Sequence, residues 1–458
     1  MRLTRRRFGQ VAAALGALAS GGRLAAQQGG VVLPQRQHVV FRNAHVLSMD
    51  RAIGDLPAGD VEIRDGQIAA VGEGLAAPGA ESIDASDKLV LPGFVETHWH
   101  IWTALLRSMA GDGGYFPVSR TLGSFYLASD MYAAARLALA EALHSGITFV
   151  HDWCHNVRSP EHADAALTAL GDAGIRARFA YGTPTGHPGG EPIDQAHFRE
   201  IAESFGGYSH GGRIGLGLAW RGVGSEASLS DRRLADELGL PVSVHVNNVR
   251  GADGIAAIAA AGLLGPEVQL IHAIWSSPEE VRAVAASGAS LSLSPYTEMR
   301  IGFGLPMTGE YLAAGVPIGL SVDTTTLSGN ADMFAIMKAI QNVENARAED
   351  EFGLPARRVL ELATIEGARS MGIDAVTGSL TPGKRADVIV VDTRQVNLGV
   401  VTDPAHLLVE AAQPANVEAV LVDGRFLKRD GRLSAVDVDE VIDDARAALA
   451  GVLARSQI

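Results

Sequence analysis

Hydrophobic and polar positions change their period twice along the chain, and the three regimes predict three kinds of structure. From His38 to about Leu89 the runs are short and alternating or apolar: His38-Val39-Val40-Phe41, Ala44-His45-Val46-Leu47, Asp60-Val61-Glu62-Ile63, Gln67-Ile68-Ala69-Ala70-Val71. A period of two is a strand signal, and Asp65-Gly66 between two of these runs is a hairpin turn signal. A matching set lies near the C-terminus at 386–391 and 417–422, with a second turn at Asp423-Gly424. Two strand-rich ends around a different middle predict one β-sandwich assembled from residues 36–91 and 373–435, with His38 and His45 as structural members.

The middle, residues 92–372, alternates apolar strand-like runs with helical patterns, which is the signature of parallel βα units. The predicted strands are 94–97, 148–151, 178–181, 214–219, 242–245, 270–273, 290–293 and 318–322, with helical stretches such as 131–144, 161–173, 277–287 and 332–345 between them. Eight strands in this order predict a closed (β/α)8 barrel, an α/β fold whose active site forms at the strand C-termini. A final amphipathic helix, in residues 436–458, is read as packing.

Composition narrows the chemistry. The chain has 458 residues, 47% of them hydrophobic, and a formal net charge of −14. That is ample for a packed interior, and the acidity argues against a nucleic-acid surface. A single cysteine, Cys154, excludes both an internal disulfide framework and a cysteine-based zinc site, so any metal must be held by histidine and carboxylate. Residues 1–30 read as a signal peptide: Thr4-Arg5-Arg6-Arg7-Phe8 is a twin-arginine pattern before an Ala-rich apolar run too short to span a bilayer. Cleavage after Ala19 or Ala26 predicts a periplasmic or secreted protein, exported already folded by the twin-arginine machinery, with no membrane span in the mature chain.

Chemistry-bearing residues gather at the predicted strand ends. His98 and His100 follow the first strand, His151 and Asp152 the second, His245 the fifth, His272 the sixth and Asp323 the eighth. Barrel closure brings such ends to one cavity. His98, His100, His245 and Asp323 offer three imidazoles and one carboxylate, a set for one divalent metal per chain, Zn2+ first, with Fe2+ or Mn2+ also accepted. Trp99, Trp102, Tyr115, Trp153, Trp220 and Trp275 lie near the same ends and are expected to contribute to an aromatic pocket. His151 and Asp152 either enter the cavity or cap their strand. His144 is read as structural, and His155, His162, His187, His197 and His210 as surface residues.

These motifs resemble the amidohydrolase superfamily, most closely its cytosine deaminase and triazine chlorohydrolase branch. The resemblance runs from Leu91-Pro92-Gly93-Phe94-Val95-Glu96-Thr97-His98-Trp99-His100 through Val244-His245-Val246, Leu270-Ile271-His272-Ala273, Ser321-Val322-Asp323 and Gly383-Lys384-Arg385-Ala386-Asp387. It implies His98, His100, His245 and Asp323 as metal ligands, Asp323 as catalytic base and His272 as catalytic partner over the attacking water or the substrate oxygen. The fourth strand ends in Ala219-Trp220-Arg221, with no lysine to bridge a second metal. Deaminases of this branch carry a glutamate three residues after the strand-five histidine, where this chain has Asn248, and Glu298 stands where a small polar residue is usual. Asparagine cannot exchange protons near neutral pH. The chain is therefore expected to hydrolyse a C–N bond of amide, lactam or carbamate type in a small cyclic or aromatic molecule. Trp102, Trp220, Asn248 and Glu298 are the expected substrate-binding residues. The alternatives are a deaminase or chlorohydrolase that uses Glu298, and a non-catalytic exported binding protein. The resemblance also admits a homo-oligomer.

Overall fold

The computed structural model describes residues 31–188 and 190–457, and the twin-arginine segment lies outside them. Five strands come first: β1 (Val39–Leu47), β2 (Asp55–Arg64), β3 (Gln67–Gly72), β4 (Glu81–Asp84) and β5 (Lys88–Pro92). Eight more follow, separated by helices: β6 (Phe94–Val95), β7 (Ile147–Cys154), β8 (Arg176–Tyr181), β9 (Ile214–Trp220), β10 (Val242–Val246), β11 (Val268–His272), β12 (Ser290–Leu293) and β13 (Ile318–Leu320). The last four are β14 (Val388–Asp392), β15 (Val417–Val422), β16 (Arg425–Arg429) and β17 (Arg432–Leu433).

Strands β6 to β13 pair in parallel and in chain order, the arrangement predicted from the alternating pattern. The sheet closes on itself through single bridges, Glu96 with Leu320 and Trp99 with Asp323. Thr97 N donates to Leu320 O at 3.1 Å, and Asp323 N to His98 O at 2.9 Å. The Glu96 carboxylate sits in this seam. It accepts from the backbone N–H of His98 (2.9 Å), His151 (3.2 Å) and Val322 (3.2 Å), tying the first, second and last barrel strands together. This also explains why β6 and β13 are shorter than predicted. The amides of His98 and Val322 bond to a side chain instead of a neighbouring strand, and Asp323 turns to a φ of 61°, which ends the ladder.

The terminal strands form one continuous nine-stranded sheet, joined where β5 of the N-terminal set pairs antiparallel with β14 of the C-terminal set. The expected sandwich is thus a single sheet curled around its own core, in which Val39, Phe41, Val61, Val388 and Phe426 pack together. Both Asp-Gly turns have the positive φ that a tight hairpin requires, 54° and 80° at Asp65-Gly66, 52° and 71° at Asp423-Gly424. The two turns touch: a side chain added at Gly424 would lie 2.8 Å from Gly66 Cα. Asp387 joins the sheet to the barrel, its carboxylate paired with Arg176 of β8 at 2.6 Å and both side chains buried. The terminal helix, Val438–Ser456, packs on the helix Ala128–His144, and its Arg455 binds Phe125 O and Asp130. Among the described residues no helix is long and apolar enough to cross a membrane.

Candidate active site

The C-terminal ends of the barrel strands gather the donors. One ring nitrogen each of His98, His245 and His272 and a carboxylate oxygen of Asp323 all lie within 4.8 Å of one another. His98 Nε2 and His100 Nε2 are each 3.3 Å from Asp323 Oδ1, and His272 Nε2 is 3.8 Å from Oδ2. All four predicted ligands are therefore brought together, and the tightest group includes His272 beside them. Both ring nitrogens of His98 are buried without a partner. An imidazole in that state is costly unless something accepts its lone pair, and a divalent cation among three imidazoles and a carboxylate fits the need.

Backbone and second-layer contacts hold these groups in place. Asn247, His272, Ala273 and Asp323 have φ values of 50°, 71°, 51° and 61°, left-handed conformations at the ends of β10, β11 and β13. Such strain persists only where surrounding structure enforces it; His272 and Asp323 enter the donor cluster, while Asn247 turns to Glu280 and the helix Gly254–Ala260. His100 donates Nδ1–H to Trp153 O at 2.9 Å, leaving Nε2 as the lone-pair nitrogen. Burial and the neighbouring imidazoles keep His98 and His245 far below the ordinary histidine range, and burial with His155 takes His100 to about 3. Neutral rings are what a metal site needs. His272 behaves differently. Burial opposes its charge, but its hydrogen bond to Glu298 and the charge of Asp323 prevail and raise its pKa. Burial likewise raises Asp323, opposed by His272 and His100.

Glu298 takes a different place from the one expected. It is fully buried, and its Oε1 accepts from His272 Nδ1 at 3.0 Å and from Ser294 N at 2.9 Å, so it stands behind His272 rather than facing a substrate. Trp220 is corrected too. Its Nε1 donates to Ser228 O at 2.9 Å in the helix Glu226–Glu237, and Arg232 of that helix covers its ring, so it packs the outer wall of the barrel. Trp102 is buried and donates to His155 Nδ1 at 3.2 Å, supporting that ring. Asn248 is half-buried beside the cluster's strand end, with Oδ1 unpartnered.

His155, read as surface, instead lies with its ring 3.9 Å from that of His100, and His162 is buried, donating Nε2–H to Tyr126 O at 3.1 Å. The misreading has a local cause: β7 runs on to Cys154, so His155 is itself a strand-end residue. His151 enters the barrel, with Nδ1 bonded to Thr97 O at 2.9 Å, while Asp152 lies on the other strand face with Cys154. Trp153 packs edge-on against His245 at 4.4 Å between ring centres. Tyr115 is buried near Asp323 and Thr324, and its hydroxyl pKa is raised by burial and then by Asp323.

Comparison with known proteins agrees with this geometry. The model of the amidohydrolase family matches residues 89–427. The chain is 30% identical over 420 residues to a 5'-deoxyadenosine deaminase of Methanothermobacter thermautotrophicus, covering 87% of this chain and 95% of that one. It is 28% identical over 379 residues to a 5-methylthioadenosine/S-adenosylhomocysteine deaminase of Moorella thermoacetica, covering 78% and 86%. Among solved structures it is similar in fold to an adenosine deaminase from Xanthomonas campestris with bound zinc, with a TM-score of 0.81 at 21% identity over 92% of this chain and 100% of that one. It is also similar to the atrazine chlorohydrolase of Arthrobacter aurescens complexed with zinc, with a TM-score of 0.77 at 22% identity over 90% and 100%. A match of this extent, on a barrel whose strand ends collect the donors that hydrolysis demands, places the chain in the amidohydrolase family, among the hydrolases of carbon–nitrogen bonds other than peptide bonds.

Proposed function

We propose that the protein is an aminohydrolase that replaces the exocyclic amine of a heterocycle, of the adenine-nucleoside kind, with oxygen from water, releasing ammonia. The observation that carries this reading is the line of groups from Asp323 through His272 to Glu298, which places two carboxylates and an imidazole along one path beside the ligand set. The full-length similarity to deaminases of 5'-deoxyadenosine and 5-methylthioadenosine supports it. His98, His100, His245 and Asp323 would hold one divalent cation, Zn2+ first, with Fe2+ or Mn2+ as alternatives. When bound, such a cation supplies a water whose pKa is lowered to about 7.

The chain's own groups then move the protons. Asp323 takes a proton from the attacking water as the C–O bond forms at the amine-bearing carbon. His272, whose protonated form the hydrogen bond to Glu298 favours, donates to the ring nitrogen as the water adds. The proton held on Asp323 passes to the leaving amine as the C–N bond breaks, and the proton of the added hydroxyl returns to His272 as the C=O bond forms, so both groups are restored. Glu298 thereby supplies, one residue removed, the second carboxylate that Asn248 does not.

A second reading is favoured by Asn248 itself, whose unpartnered amide oxygen offers a hydrogen bond and no proton transfer. It is hydrolysis of an amide, lactam or carbamate, which needs no ring-nitrogen shuttle. The two separate in one experiment with protein purified after loading with Zn2+. Ammonia release from 5'-deoxyadenosine, 5-methylthioadenosine and related nucleosides supports deamination. Turnover of lactams or carbamates with no ammonia from any nucleoside overturns it in favour of the second reading. His98→Ala is expected to lose both the single bound metal and the activity, and metal retention at about one per chain would refute the ligand set.

We also propose that residues 1–30 direct twin-arginine export to the periplasm or beyond. Replacing Arg5 and Arg6 with lysine is expected to trap the protein in the cytoplasm, and unaltered export would refute the signal.

A further inference from the structure

We propose that a chamber at the end of the barrel opposite the catalytic donors binds a small oxyanion, with Arg178 as its cation. Val242, Val268 and Ser290, the first residues of β10, β11 and β12, line this cavity of about 200 Å³, which places it at the N-terminal mouth of the barrel. Arg178 reaches it from β8. Its guanidinium has five N–H donors, and its one hydrogen bond among the described residues runs from Nη2 to Met371 O at 2.7 Å. No carboxylate of the described residues pairs with it, whereas Arg176, two residues earlier on the same strand, is matched by Asp387. Burial lowers the Arg178 pKa to about 10, and no acid offsets that.

Arg178 is half-buried, and a cation drawn partly out of water without a counter-charge leaves its desolvation uncompensated. The rest of the chamber suits an anion better than it suits bare water. Ser243 Oγ lies 3.4 Å from His151 Nε2, giving a hydroxyl at the wall. Gln269 spends its amide N–H on the weak acceptor Met371 Sδ and leaves Oε1 unpartnered, so its amide has no strong bond to lose in turning toward a ligand. The one acid at the rim, Glu267, is already bound to Arg232. A flat guanidinium fork recognises two oxygens at once, which selects phosphate-like or carboxylate anions over a spherical halide.

Thermal unfolding of the metal-loaded full chain tests this, with orthophosphate and acetate as parallel arms against sodium chloride at equal ionic strength. A saturable rise in Tm, about 2 °C at about 100 times the dissociation constant, is expected in at least one arm, and that arm names the anion class. The rise is expected to persist in His98→Ala, which disables the catalytic end, and to vanish in Arg178→Met. Gln269→Glu, which puts a carboxylate into the chamber at equal volume, is expected to raise Tm in chloride and abolish the anion response, and it serves if Arg178→Met does not fold. No rise beyond chloride in the parent chain overturns the site. So does a rise that survives Gln269→Glu, or one that disappears in His98→Ala.

Discussion

At the scale of single residues, function here is set by what stands behind each imidazole. His100 and His272 occupy comparable places at strand ends, yet burial and His155 drive the first to about 3 against the weak support of the Trp153 carbonyl, while the second is raised against the same burial by its hydrogen bond to the Glu298 carboxylate and the charge of Asp323. Glu298→Gln keeps the shape and the bond to Ser294 N while removing the charge that favours protonated His272. We expect kcat to fall about 10–100-fold with KM little changed. The alkaline limb of the rate profile should move to lower pH, since the His272 pKa drops once its partner is neutral. An unchanged profile in steady-state kinetics would leave Glu298 a packing residue. The same scale shows why Glu298 and Trp220 were misplaced from the sequence. Trp220 was read correctly as a strand end and Glu298 lies in the short helix Pro295–Ile301 after the seventh barrel strand, but χ angles and neighbours decide whether such a side chain faces the cavity, the wall or another side chain.

At the scale of elements, the helix Ala128–His144 shows how one segment is fixed from two sides. Its last carbonyl, His144 O, accepts from Lys428 Nζ of β16 at 2.8 Å, a cation at the negative end of a helix dipole. Burial nonetheless lowers the Lys428 pKa from 10.5 to about 8. The folded protein thus binds this proton less readily than the unfolded chain. The penalty is full below about pH 8 and disappears as pH rises through 10.5, the window between the two values. Lys428→Met is expected to stabilise by about 1–2 kcal/mol at neutral pH after the lost hydrogen bond is counted. That gain should shrink toward alkaline pH, and a gain independent of pH in denaturant titrations would refute the assignment.

At the scale of the whole molecule, the barrel and the curled terminal sheet are coupled through the buried Arg176–Asp387 pair, with Asp387 also accepting from Asp423 N at 2.8 Å. This gives the motif ending in Asp387 its physical meaning: the aspartate anchors the turn at Asp423 and the third barrel strand at once. Arg176→Met strands a charged, fully buried carboxylate, and a loss of about 3–5 kcal/mol in urea unfolding is expected. Arg176→Met with Asp387→Asn should recover part of it. A double variant no more stable than the single one would show that packing, rather than charge, holds the junction.

What the sequence determined by itself is what local periodicity carries. Eight apolar runs at strand length, helices between them and Asp-Gly at both hairpins follow from contacts among near neighbours, so the barrel strands and both turns were legible. His98, His100, His245, His272 and Asp323 were legible for the same reason, since each falls at the end of such a run. The tertiary structure alone decided that His155 enters the site, that Glu298 serves His272, and that Arg178 has no acidic partner among the described residues, only the Met371 carbonyl. Those outcomes depend on which side chains meet in the closed barrel, 26 positions apart for His272 and Glu298 and 193 for Arg178 and Met371, and no local pattern in the chain records them.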